Sequence, residues 1–342
     1  IRLPTLRILF LLTLNEIGFC FSALFLTMVF VDNVLYPLWD KKSVDHSVRT
    51  RSETRDATSS DLRVATGLLD IRLIVGNPDL VAAVQLDALD FWRKNAKENL
   101  ANLHKSLQER HVRAGELAYL LEPDLKEARG GLRDIQALRA ISLSAAIAVP
   151  LEKISWAEGT LNNVRESLHI ASGRGKDRLL FQEQDKVAQL LDYEDADAMM
   201  GDVARAARSV DYLLNYTWHA IEHKGKDGLG RILKRPRVAT VAKNVSASNR
   251  EIVIDPLTSL DDDPVVGLRA AATAAQLGLP LSLDTCTELA EKLKTGQGKL
   301  PTPWPREARE LLISLIGAGE TMVAIFESLD QDEIIFEWIP EW

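Results

Sequence analysis

The chain has 342 residues, 46% hydrophobic and 26% charged, with 41 Lys and Arg against 49 Asp and Glu. This composition supports a sizeable buried core and excludes disordered and collagen-like classes, while a net charge of -8 argues against a general nucleic-acid binder. Two cysteines, Cys20 and Cys286, supply neither a disulfide framework nor the ligand set of a structural zinc, and fit a reducing cytoplasm.

The chain begins at Ile1 rather than Met and ends at Trp342, and so reads as a piece cut at one or both ends. Ile8 to Val31 is strongly apolar, but Asn15 and Glu16 interrupt it. A carboxylate at mid-membrane costs roughly 2.5 to 3.5 kcal/mol, which favours buried core over a membrane span. In VATGLLDIRLIV, Leu69, Ile71, Leu73 and Val75 alternate as in a strand, with a short helix as the competing reading. Asn77 and Pro78 form a cap and first turn, opening one or two long helices through about Arg113.

After Gly130 and Gly131, Leu132, Ile135, Leu138 and Ile141 mark an amphipathic helix, and Leu161, Val164 and Leu168 the next. The clearest helix runs from Asp202 to about Ile221. Between Lys224 and Asp255 two β-prone runs flank a polar turn and predict a small hairpin insertion. Asp263 and Pro264 read as cap and first turn of a helix ending near Gly278; further helices follow at about Asp284 to Leu293, from Pro305, and from about Glu320 to Leu329. His219 and His223, four apart with no third ligand in view, read as polar surface residues, and Trp218 and Trp304 as packing residues. The fold expected is mostly α.

The segment with the most chemistry is Glu122 to Gln136, EPDLKEARGGLRDIQ. It gathers Lys126, Arg129 and Arg133 with Glu122, Asp124, Glu127 and Asp134 around a glycine pair just before a helix. Glycines admit a phosphate to the backbone, a helix start adds partial positive charge, and Lys or Arg neutralises the anion. A glycine turn with solvated charges capping a helix would look the same.

The segment resembles the E-P-x-L-K-x-x-x-G-G-L-R-D signature of bacterial PII-protein uridylyltransferases. Leu132 and Asp134 set it apart from the related glutamine-synthetase adenylyltransferases, which typically carry Ile and Glu there. Further matches follow in order: Leu35 to Asp40 with His46 to Arg49, Thr66 to Gly76, Asp177 to Gln184, and Leu329 to Trp342. The resemblance implies the back of an α/β nucleotidyltransferase domain at 1–120, with 1–33 anomalous, and a helical domain at 121–223. It also implies the hairpin insertion at 224–256 and a helical region at 257–342 leading toward a phosphohydrolase domain that this chain lacks.

The reaction implied is transfer of UMP from UTP to a tyrosine of the PII nitrogen-regulatory protein, with Mg²⁺ and in the cytoplasm. Lys126, Gly130, Gly131, Arg133 and Asp134 would form the nucleotide-binding set. The family's glycine turn and acid-x-acid pair, which hold nucleotide and Mg²⁺, are not in this sequence, so no catalytic residue is assigned. Asp45 and Asp70 are the candidates for a remaining metal-binding carboxylate. An inactive PII- or nucleotide-binding module, or an adenylyltransferase relative, is the alternative.

Overall fold

The computed structural model describes residues 8–10, 36, 46–74, 76–224 and 239–342. Asp45, most of the apolar stretch before Val31 and the basic stretch 225–238 lie outside the described residues. The protein is mostly helical and divides into two units, Ile1–Asp211 and Tyr212–Trp342; the division falls within one helix, Ala196–Lys224. Among the described residues no single helix is long and apolar enough to cross a membrane.

In the first unit, β1 (Ile8–Phe10) pairs in parallel with β2 (His46–Val48), Ile8 opposite His46 and Phe10 opposite Val48. Helix α1 (Arg51–Ser60) starts in a capping box: the Glu53 amide donates to the Thr50 hydroxyl, and the Thr50 amide donates to the Glu53 carboxylate at 2.7 Å. Helix α2 (Leu62–Leu69) follows at once, with Asp61 accepting from the Arg63 amide at 2.7 Å.

This helix corrects the strand reading of VATGLLDIRLIV. Ala65 and Leu68 are its buried positions, so a three-residue spacing prevails over the alternation, and the apolar residues beyond it, Leu73 and Ile74, are exposed. Helices α3 (Pro78–Lys94) and α4 (Ala96–Ala114) realise the two long helices expected, and Asn77 caps the first by accepting from the Asp79 and Leu80 amides.

Helices α5 (Leu132–Leu143), α6 (Ser155–Ser172), α7 (Phe181–Leu190) and α8 (Ala196–Lys224) follow. Leu138, Ile141, Leu161 and Leu168 are fully or almost fully buried, as their periodicity predicts. Trp92 of α3 is completely buried, and its indole N–H donates to the Ala140 carbonyl at 2.8 Å, tying α3 to α5.

In the second unit the expected hairpin is a three-stranded antiparallel sheet, β3 (Ala239–Ala242), β4 (Val245–Ser248) and β5 (Glu251–Ile254) in that order. Two tight turns do this. Asn244, Asn249 and Arg250 adopt left-handed backbone, so what reads as one polar turn is the second of two reversals. Val245 and Ile252 face the core.

Helices α9 (Val266–Leu277), α10 (Leu283–Lys294), α11 (Arg306–Ile316), α12 (Glu320–Gln331) and α13 (Ile334–Trp338) complete the unit. The alanines of α9 let neighbours approach closely, and at Gly267 a Cβ would stand 2.9 Å from Trp338. The expected cap at Asp263 does not form: α9 starts at Val266 without a side-chain cap. Asp263 is drawn instead to the buried Arg269, whose Nη1 donates to it at 2.7 Å, and Asn244 also donates to it at 2.8 Å. Trp218 is buried and Trp304 packs against the buried cluster, while His219 and His223 meet edge to face at 4.3 Å.

Candidate functional site

The signature segment is a loop built on its own backbone. Asp124 starts it as a local cap, its Oδ1 accepting from the amides of Lys126 (3.0 Å) and Glu127 (2.7 Å). The loop then folds back: the Leu132 amide donates to the Leu125 carbonyl and the Arg133 amide to the Lys126 carbonyl. Lys126 and Arg133, seven positions apart in sequence, become backbone neighbours. Outer bonds fix the frame, with Leu117 and Gly115 bonded to Arg129, and Leu125 and Pro123 bonded to Asp177 and Leu179.

Both glycines are required by geometry. Gly130 has φ +84°, and a Cβ there would stand 2.5 Å from the Ala207 carbonyl oxygen of α8; at Gly131 it would stand 2.8 Å from that of Ala128. The Gly130 amide donates to Asp134 Oδ2 at 2.7 Å and the Gly131 amide to the Ala128 carbonyl at 2.9 Å. The amides at the start of α5 therefore have internal acceptors. The charge the loop presents at its surface is therefore carried by side chains.

Asp134 is fully buried. Arg110 donates to its Oδ1 at 2.5 Å, and His111 Nε2 lies 3.0 Å from both of its oxygens. Burial alone would raise this carboxyl, but the bonds from His111, Arg110 and the Gly130 amide hold it below its ordinary value. Arg110 also donates to the Glu127 carbonyl, so one guanidinium of α4 clamps the loop at two points.

A second carboxylate, Asp177, has a parallel set of partners. Arg165 Nε donates to it at 2.6 Å, His169 Nε2 lies 3.0 Å away, and Lys126 Nζ 3.6 Å away. Burial pushes its carboxyl up, and Arg165, Lys126 and His169 more than offset that, leaving it lowered. Arg129 is anchored too, its Nε 2.6 Å from Asp211; despite the cost of burial, that carboxylate keeps the guanidinium firmly charged.

The candidate residues thus occupy distinct environments. Lys126, 22% exposed, leans on Asp177, and Arg133, 41% exposed, bonds Glu127 at 3.2 Å and Gln136 at 3.1 Å. Arg133 is thus the most exposed cation of the loop, Arg129 at 32% and Lys126 are part-exposed and ion-paired, and Gly130, Gly131 and Asp134 shape and lock the loop. Sequence reasoning missed Arg110, His111, Arg165 and His169, and local pattern holds no signal for them, because they reach the loop from α4 and α6.

Asp70 is exposed at the C-terminal end of α2. Among the described residues no three His, Cys, Asp or Glu side chains are grouped to hold a metal ion.

A family model described as GlnD PII-uridylyltransferase matches residues 98–154 and 149–218, which cover the loop and all its clamping residues. The chain is 40% identical over 332 residues to a bifunctional uridylyltransferase/uridylyl-removing enzyme of Streptomyces coelicolor. It is 35% identical over 324 residues to one of Mycobacterium tuberculosis, and 28% identical over 313 to one of Corynebacterium glutamicum. Each match covers 91% of this chain but only 38%, 39% and 44% of the respective relative, so the chain spans well under half the length of these proteins. No solved structure matches it.

Proposed function

Because the chain belongs to the PII-uridylyltransferase family, we propose that it serves the transfer of UMP from UTP to a tyrosine hydroxyl of a PII signal protein. The observation that carries this reading is the signature loop, whose internally bonded backbone makes Lys126 and Arg133 neighbours and whose frame is fixed by two clamped carboxylates.

In this reading Lys126 and Arg133 contact the triphosphate. Gly130 and Gly131 bring the loop against α8, and Asp134 keeps it from opening. Fixed cations at the polyphosphate stabilise charge that develops on the leaving pyrophosphate, and their preorganisation spares reorganisation during the reaction. The tyrosine oxygen forms a bond to the α-phosphorus as the bond to pyrophosphate breaks. Mg²⁺ belongs to the proposed chemistry as a screen for phosphate charge. Asp45 and Asp70 would each be a candidate for one of its carboxylate ligands. Residues 1–120 would be the back of a nucleotidyltransferase domain, and the protein would act in the cytoplasm.

No glycine turn followed by an acid-x-acid pair stands ahead of the signature loop in this sequence, and that motivates a second reading, in which the chain binds PII or nucleotide without turnover. Incubation with PII, labelled UTP and Mg²⁺ separates the two. Label on PII supports transfer, and its absence with UTP bound supports the binding module.

A further inference from the structure

The first unit has a cavity of about 300 Å³ between α1 and α3, away in sequence from the signature loop. Val84, Ala88 and Phe91 give it apolar lining, beside the buried Thr54 and Thr58. Arg51, Arg55 and Lys94 stand at its lining as well.

Arg51 and Arg55 are four residues apart on one face of α1, where two like charges repel. Asp87 of α3 holds them together, accepting from Arg51 Nε at 2.6 Å and Nη2 at 2.9 Å, and from Arg55 Nε at 2.8 Å and Nη2 at 3.2 Å. Hydrogen bonding from Arg51, followed by that from Arg55, outweighs the burial of Asp87 and keeps its carboxyl well below the usual range. Each guanidinium spends two of its five donors on this carboxylate, and its other three stay available for a second acceptor. Lys94 is only loosely paired, 3.3 Å from Asp90 with both side chains largely exposed. Three cations against two carboxylates leave the cavity one positive charge in excess.

Two guanidiniums gathered on one carboxylate, each with donors left over, suit a group with several anionic oxygens, and apolar lining beside them suits a flat body. The volume falls at the lower end of the range for small-ligand pockets. We propose that this cavity binds a phosphate ester of mononucleotide size, its phosphate on Arg51 and Arg55 and its body on Phe91 and Ala88. The assignment uses none of the signature-loop residues and stands or falls apart from the role given to Lys126 and Arg133.

The test uses the 342-residue chain with UMP and inorganic phosphate as probes. Calorimetry should show UMP binding weakened about tenfold by Arg55→Gln, the worth of one charge-assisted bond, and unchanged by Arg306→Gln at an exposed position of the second unit. Asp87→Asn, which removes the resident competitor, should tighten it. In the unmodified protein, UMP should shield Arg51 and Arg55 from phenylglyoxal, read by peptide mass spectrometry, so the result does not depend on a variant folding. Absence of shielding, an affinity indifferent to Arg55→Gln, or equal shielding by phosphate alone would overturn the proposal.

Discussion

The Gly130 amide points at the carboxylate of Asp134, 2.7 Å away, and the same carboxylate receives Arg110 of α4. One buried side chain thus joins the glycine turn, the helix that follows it and a helix twenty-four residues upstream. The loop's shape depends on that junction.

Replacing Asp134 by Asn should destabilise the first unit by about 3 kcal/mol at neutral pH, because Arg110 is left buried without its counter-charge. The cost should depend on pH. The folded carboxyl lies below the unfolded value of about 3.9, so its contribution is complete above that pH and disappears as pH falls through the lower folded value. Urea denaturation at pH 7 and at about pH 3 should show the gap between native protein and Asp134→Asn narrowing in acid. A constant gap would mean that packing rather than charge does the work.

At Gly130, alanine meets both a positive φ and the Ala207 carbonyl. Strain and overpacking together should cost about 2 to 4 kcal/mol. Amide exchange should accelerate around Gly130 and in α8 near Ala207, whereas alanine at Gly159, whose Cβ position has open space, should be neutral or slightly stabilising.

Arg133→Gln is expected to behave in the opposite way. Its pairs with Glu127 and Gln136 are partly exposed, so folding stability should move by no more than about 0.5 kcal/mol. UTP binding should fall about tenfold, the worth of one charge-assisted bond. Equilibrium dialysis with labelled UTP beside a thermal melt reads both quantities, and unchanged binding would remove Arg133 from the nucleotide site.

In the second unit, Arg269 bridges Asp263 and Glu307 with only 7% of its side chain exposed. Arg269→Met should cost about 3 kcal/mol, since Asp263 stays buried without its partner. Changing Asp263 to Asn in the same chain should recover part of the loss, a coupling that a double-mutant cycle measures.

How much of this was legible in the sequence depended on the range of the forces involved. Local signals succeeded: Asn77-Pro78 opened α3, Gly278 closed α9, and Leu161, Val164 and Leu168 marked the buried side of α6. The Thr50-x-x-Glu53 capping box is an equally local signal and marks the start of α1. Where two periodicities overlapped, in VATGLLDIRLIV, the Asp61 cap decided for helix. Asp263 looked like a cap, but its carboxylate is taken by Arg269, six residues along in α9, and by Asn244 from the turn between β3 and β4. For the same reason the loop could be recognised as a motif while the division of labour inside it could not: the partners of Asp134 and Asp177 come from other helices.

The way Gly130, Gly131 and Asp134 spend their hydrogen bonds also bears on how such motifs diagnose activity. A lineage could lose every group that touches the reacting phosphate and still be selected to keep these three letters, because they specify a shape that neighbouring helices need in order to fold. Persistence of the motif then records an intact architecture, and evidence of turnover has to come from the side chains facing outward.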